Sequence, residues 1–348
     1  MKKLVKQVVG IDVAQKELVV SLGRMYDDLV PEVYGCKTFA NTPKGFEVLI
    51  LWVKKLSEQT VGIRYIMEAT GVYHERLAYF LEEKGYGVSI VLPNKISNYF
   101  RTLEVKTITD KTASQAIAQF GLERKLDDWK RPAPIFKSLK QLSREREQLV
   151  QERTLVKNQL HAEQAEAEPG QSTIMRMKKR IAILNKQEQE IREEIREAVK
   201  KDEQVKNTVK TISSVSGVGL ITTVSVLAET NGFELIGNKR QLASYAGLDV
   251  KQKQSGTSVK GKACISKRGN KYLRKAMHMP ALAAIRHDER FKAIFVRLVS
   301  KHGIKMKAVV AVQRKLLEMI YIVYKTNTPY DKNYLKRNEK ETKNIEQN

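Results

Sequence analysis

Cysteine is almost absent. The chain has 348 residues and two cysteines, Cys36 and Cys264, far apart and in no CxxC setting, which excludes a thiolate zinc cluster and a disulfide framework and fits a reducing cytoplasm. Long apolar runs are missing as well: none approaches the ~20 residues that a membrane-spanning helix needs. The opening MKKLVKQVVGID carries two early lysines but no apolar stretch of signal-peptide length before Asp12, so the chain is expected to stay inside the cell. Acidic residues are in short supply, 39 Asp and Glu against 63 Lys and Arg, leaving a net charge of +24. Such an excess concentrates polyanions and releases their counterions on contact, so nucleic acid is the leading partner and a membrane a poor one. Charge alone also permits a basic protein kept soluble by its field, of the ribosome-associated sort.

What is present is enough for several domains. Hydrophobic residues make up 42% of the chain, sufficient to bury cores without staples. From Lys6 to Leu22, two apolar runs flank a polar AQKE turn and predict a β-hairpin; Tyr34 to Phe39 adds a third strand. Asn41, Thr42 and Pro43 then open a helix with Phe46, Leu49, Ile50 and Val53 on one face. A strand from Arg64 to Ala69, a helix from Tyr73 to Lys84 and a strand from Tyr86 to Leu92 complete the order βββαβαβ of an α/β domain with a mixed sheet, over residues 1–135.

Past Pro132 and Pro134 the pattern changes to long charged helices, which span 136–207. Leu139, Leu142, Leu149, Val156 and Leu160 keep heptad steps if Arg146 and Arg153 fill the gaps, and Ile174, Met177, Ile181, Leu184, Ile191, Ile195 and Ala198 do the same with Glu188 as their one polar member. This predicts a coiled-coil arm, either an interface or an intramolecular helix pair. Residues 208–328 form a mainly helical third part, opened by a GVG turn in SVSGVGLITT that suits a helix-hairpin-helix-like element or a plain tight turn. Nine Lys or Arg and no acid lie between Lys251 and Lys275, a loop whose self-repulsion calls for a polyanion. Helices are predicted over 272–285 and 294–324, and a polar, disordered tail over 329–348.

Three acidic residues stand out. Asp12 ends the first strand, Glu68 ends another as YIMEATG, and Asp110 opens the helix-like DKTASQAIAQF. Carboxylates placed directly after buried apolar runs lose solvation and, if they converge, repel one another; a hard divalent cation relieves both. A turn or a helix cap explains each one singly, whereas the ordered set suggests a phosphodiester-cutting site.

The same segments carry a family resemblance. GIDVAQKE, MEATGVYH and KTITDKTASQAIA, followed by SVSGVGLITTVSVLAE, KRQLASYAGLDVKQKQSG and ISKRGNKYLRKAM, resemble the insertion-sequence-110 family of transposases, relatives of the Piv DNA invertases. The resemblance implies a RuvC-like, RNase H-like DEDD domain, a central coiled coil and a helical C-terminal transposase domain. It implies Asp12, Glu68 and Asp110 as Mg²⁺ ligands, while a fourth aspartate expected three residues after Asp110 is replaced by Ala113. It implies a nucleophilic serine, Ser255 by its SG setting with Ser266 second, amid Lys251, Lys253, Lys260, Lys262, Lys267, Arg268, Lys271 and Arg274 as DNA-binding cations. It further implies a structured noncoding guide RNA, and a homodimer or homotetramer in which the carboxylates and the serine meet between subunits. Two other functions compete: a RuvC-like junction-resolving nuclease without serine chemistry, and a non-catalytic nucleic-acid-binding scaffold. Cleavage that survives Ser255→Ala points to the first, and recombination unchanged by loss of Asp12 and Glu68 to the second.

Overall fold

The computed structural model describes residues 2–333 except Thr70, Glu104, Lys106, Leu235, Lys253, 256–258, Lys262 and Ala263. Two compact units divide it, Met1–Arg131 and Pro132–Asn348.

In the first unit the AQKE segment turns the chain between β1 (Leu4–Val13) and β2 (Glu17–Tyr26), with Ala14 N donating to the Glu17 carbonyl at 3.0 Å. β3 (Pro31–Ala40) continues the antiparallel run. The Thr42 hydroxyl accepts from Gly45 N and starts α1 (Pro43–Leu56), which buries the expected Phe46, Leu49, Ile50 and Val53. The chain then crosses to the other side of β1 for β4 (Ile63–Glu68), returns through α2 (Glu75–Glu83) to β5 (Gly87–Val91), and closes with α3 (Pro93–Phe100) and α4 (Asp110–Glu123). The sheet order is β3-β2-β1-β4-β5, with β1 antiparallel to β2 but parallel to β4, and β4 parallel to β5. Three antiparallel strands extended by two parallel ones, with helices on both faces, make this an RNase H-like α/β domain.

Strand alternation sorts the core into two layers. Val9, Ile11, Tyr65 and Met67 pack with Phe46 and Leu49 of α1 and Leu77 and Leu81 of α2. Val8 and Ile66, one residue out of step, pack instead with Ile117, Ala118 and Leu122 of α4. Gly10 shares that second face. A Cβ there would run into the Ser114 carbonyl and the Ala118 amide, so the absent side chain is what lets α4 lie directly on β1. The buried Ser21 and Ser114 hydroxyls, 2.8 Å apart, pin the same helix to β2. Gly10→Ala should therefore push α4 off the sheet and cost about 3 kcal/mol in urea denaturation; an unchanged midpoint would show that α4 can slide.

The second unit begins with α5 (Pro134–Gln164) and α6 (Gln171–Lys201), which pack along each other as an antiparallel pair. Leu139, Leu142, Val156, Ile174, Leu184, Ile191 and Ile195 are buried between them or against the helices beyond. α7 (Glu203–Ile212), α8 (Leu220–Glu229) and α9 (Lys239–Tyr245) follow, then four short strands β6 (Val250–Lys251), β7 (Gln254–Ser255), β8 (Val259–Lys260) and β9 (Cys264–Ile265). β6 pairs with β9 and β7 with β8, both antiparallel. α10 (Lys271–Ala276), α11 (His278–His287), α12 (Glu289–His302) and α13 (Lys305–Thr326) complete the unit.

Four sequence expectations need correction. The basic segment read as a loop carries the two strand pairs. The helix expected over 272–285 is broken at Met277, because Pro280 has no N–H for the Ala276 carbonyl and its ring would clash with that turn. The helix expected over 294–324 breaks at Gly303, whose φ of 68° supplies a left-handed cap. The segment expected to be disordered from residue 329 is tied down at its start: Tyr330 N donates to Ser214 Oγ at 2.7 Å and its hydroxyl to Asp288 Oδ2 at 3.0 Å. Residues 334–348 lie outside the described residues.

Candidate active site

The three carboxylates reach one place by strand alternation and a helix cap. Asp12 lies two residues after Gly10, and Glu68 two after Ile66, so both project from the face that α4 covers. The β1–β4 register, which pairs Ile11 with Met67, puts them on neighbouring strands at the same level. Asp110 is the first residue of α4, where Thr109 and Thr112 exchange side-chain and backbone hydrogen bonds in a capping box. The cap is Thr109, not Asp110, which leaves the Asp110 carboxylate outside that exchange. The half-buried Asp12 carboxyl is pushed up from 3.8 to about 6, first by burial, then by the negative charges of Asp110 and Glu68, against a smaller opposing pull from the Val13 amide. Both neighbouring carboxylates thus lie near enough to act on Asp12. Among the described residues, no three His, Cys, Asp or Glu side chains form a ready metal-holding group, so the carboxylates converge without closing into a finished ligand set. Ala113, half-buried one turn into α4, supplies no fourth carboxylate.

In the second unit the expected serines differ in what can be said of them. Ser255 lies in β7 with its backbone opposite Val259; its side chain and that of Lys260 lie outside the described residues, as do Lys253 and Lys262 entirely. Ser266 donates from Oγ to Asp249 Oδ1 at 2.5 Å and accepts from Arg268 N at 3.3 Å. It is followed by Lys267 in the left-handed region, φ 54°, a conformation that few non-glycine residues adopt. Lys251, Lys267, Arg268 and Lys271 are exposed and available to a polyanion. Arg274 is half-buried and donates to the Ala246 carbonyl at 2.8 Å, so it braces the turn. The GVG turn is also a packing element, since a Cβ on Gly217 (φ 81°) would collide with the Pro280 carbonyl of α11.

Sequence reasoning missed two buried charge networks. Glu229, 2% exposed, accepts from Arg144 Nε at 2.8 Å and Nη2 at 3.0 Å, and from Asn270 Nδ2 at 2.6 Å. Asn270 in turn caps α10 by accepting from Leu273 N, so this network anchors the basic SKRGN segment. Glu188 accepts from Arg146 and Arg192 at 2.8 and 2.7 Å and from Arg153. For Glu188 a signal existed: one acid and two arginines occupy apolar heptad positions of facing helices. Nothing local announces the Glu229 network, whose members are 85 and 41 residues apart.

A sheet of this topology, with carboxylates at the ends of β1 and β4 and at the start of the covering helix, defines an RNase H-like domain. Comparison with known proteins narrows the class. A DEDD transposase model of the IS110 type matches residues 9–164, and one described as Transposase IS116/IS110/IS902 family matches residues 209–295. The chain belongs to the IS110 family of transposases, enzymes that cleave and rejoin DNA. The pilin gene-inverting proteins of Moraxella bovis and Moraxella lacunata are each 29% identical over 299 residues, 85% of this chain and 90% of theirs. An uncharacterized IS110 protein of Streptomyces coelicolor is 27% identical over 34% of this chain and 29% of its own. Thermus thermophilus RuvC in complex with a Holliday junction substrate aligns at 10% identity over 35% of this chain and 99% of that one, with a TM-score of 0.28. That score is too low to add to what the sheet topology itself shows. Among the described residues no helix is long and apolar enough to cross a membrane.

Proposed function

We propose that this transposase moves or inverts a DNA element by serine attack on a phosphodiester, with residues 1–135 holding the metal site, 136–207 serving as an arm and 208–328 carrying the serine. The observation that carries the reading is that Asp12 and Glu68 project from the sheet face covered by α4, whose first residue is Asp110, and that burial together with the charges of Asp110 and Glu68 lifts the Asp12 carboxyl to about 6. Their donors are all anionic oxygens, which suits a hard divalent cation, and Mg²⁺ is the ion that such a set accepts best. Bound there, Mg²⁺ would polarise the phosphate and ease loss of a proton from the attacking hydroxyl. The Ser255 oxygen forms a bond to phosphorus as the bond to the 3′ oxygen breaks; the serine proton leaves to a base and the 3′ oxygen takes one up. A 5′-phosphoserine results, and attack by the 3′ hydroxyl of another strand reverses the step and rejoins the DNA. Lys251, Lys267, Arg268 and Lys271 offset charge on the phosphate in transit. Such a site needs the carboxylates and the serine to meet, which a homodimer or homotetramer achieves between subunits. An element-encoded guide RNA supplies sequence choice to a protein whose basic surface reads backbone; RNA that survives purification, and whose removal abolishes target choice, checks this.

Ser255→Ala is expected to abolish the covalent protein–DNA species seen on denaturing gels while leaving DNA affinity within about twofold. If the adduct persists and disappears only on Ser266→Ala, the hydroxyl held by Asp249 is the nucleophile. Metal-dependent cutting by Ser255→Ala without any adduct means water attacks and the serine reading is wrong.

A further inference from the structure

Beside the carboxylates, within the first unit, a cleft of about 730 Å³ opens with Glu68 on its edge. Its inner wall is apolar: Ile96 is 3% exposed and Phe100 9%. Ile108, which also lines it, is 75% exposed although it stands two residues before Asp110. Asn94, Ser97 and Arg101, all exposed, add polar groups to that of Glu68. This chemistry does not suit a phosphate, which would gain nothing from Ile96 or Phe100, nor a bare cation. It suits a flat group with apolar faces and hydrogen-bonding edges, attached to a negative charge. The volume falls within the range of roughly 300–1,000 Å³ of clefts that take small organic groups.

We propose that this cleft receives one unstacked base of the DNA strand whose phosphodiester lies at the carboxylates, with Arg101 on a neighbouring phosphate. The inference rests on the reading that Asp12, Glu68 and Asp110 bind the strand to be cut. Given that reading, Glu68 belongs to both places, so the nucleotide next to the bound phosphodiester has its base at the mouth of the cleft. Covering Ile108 and the Phe100 edge repays the unstacking, and an enzyme acting on a distorted or unpaired strand has little of it to repay. The cleft therefore selects strands in which a base next to the cut is free to leave the helix.

The test uses full-length protein with calcium, an oligothymidylate, the same strand with every base removed, and the same strand carrying 5-iododeoxyuridine for photo-crosslinking. The wild type is expected to crosslink within residues 93–108 and to prefer the base-bearing strand. Ser97→Trp, which fills the cleft from an exposed position, is expected to lose that crosslink and to lower the preference by about tenfold; Ile108→Asp gives a smaller loss. A crosslink confined to other peptides, or a preference untouched by Ser97→Trp, overturns the proposal even if Asp12-dependent cutting is intact. Conversely, a crosslink at 93–108 in a protein whose cutting ignores Asp12 supports the cleft and sinks the carboxylate reading.

Discussion

Asp12→Asn is expected to give a protein that is more stable than the wild type above pH 6 in metal-free buffer, yet inert on DNA. The native Asp12 carboxyl titrates at about 6 where an unfolded chain's titrates near 3.8. Between those values the native state holds a proton that the unfolded state has released, so stability falls as pH rises through the window. Below about pH 4 both forms of the carboxyl are protonated and the variant gains nothing; above about pH 6 the penalty is complete and the variant escapes it. A shift of this size converts to about 3 kcal/mol, which partial exposure reduces to about 1–2 kcal/mol. Thermal melts at pH 4 and pH 8 measure it, as a gain of roughly 5 °C at the higher pH alone. Magnesium should reverse the order, since the wild type gains a ligand that the variant holds poorly. Strand cutting should fall about a thousandfold or more, because several kcal/mol of charge stabilisation depend on the site. A variant less stable than the wild type at pH 8 without metal would show that the three carboxylates do not oppose one another.

Much of the first unit is legible in sequence because its signals are local. VVGIDV and ELVVSL are too apolar for anything but buried strands, the AQKE turn joins them, and Thr42-Pro43 announces α1. Asp110 opens a helix, as expected. The pairing order is another matter: β4 adds alongside β1, 50 residues and more away in sequence, and only then does alternation put Asp12 and Glu68 on one face. Gly10 carries no mark that it is where α4 touches the sheet. In the second unit the heptads of α5 and α6 are readable, whereas the roles of Arg146 and Arg153 depend on Glu188 arriving from the facing helix. The breaks at Met277 and Gly303 had visible causes, Pro280 and the glycine itself, that apolar periodicity overrode. Arg274 shows that charge in a basic run can also be structural: its Nη1 donates to the Ala246 carbonyl of its own turn.

Arg144→Met is expected to cost the second unit about 2–3 kcal/mol, less than for a fully buried ion pair because the Arg144 side chain is 39% exposed while Glu229 is buried. Glu229 is almost wholly out of water and both its oxygens accept from the one guanidinium. Among the described residues the carboxylate without Arg144 keeps only the Asn270 amide, so an uncompensated charge is left buried. The double variant Arg144→Met/Glu229→Met removes both charges and should recover all but about 1 kcal/mol, the share of the Asn270 hydrogen bond. Equal losses in the single and double variants would mean that Arg144 acts by packing on the Tyr272 ring, 4.4 Å away, and not by charge. The difference matters for DNA. Asn270 Nδ2 is held by Glu229 while its Oδ1 caps α10, and Lys267, Arg268 and Lys271 flank it in sequence. If charge is what holds Asn270, the Leu273 amide exchanges faster in Arg144→Met, and DNA affinity drops although no DNA-facing lysine has been touched.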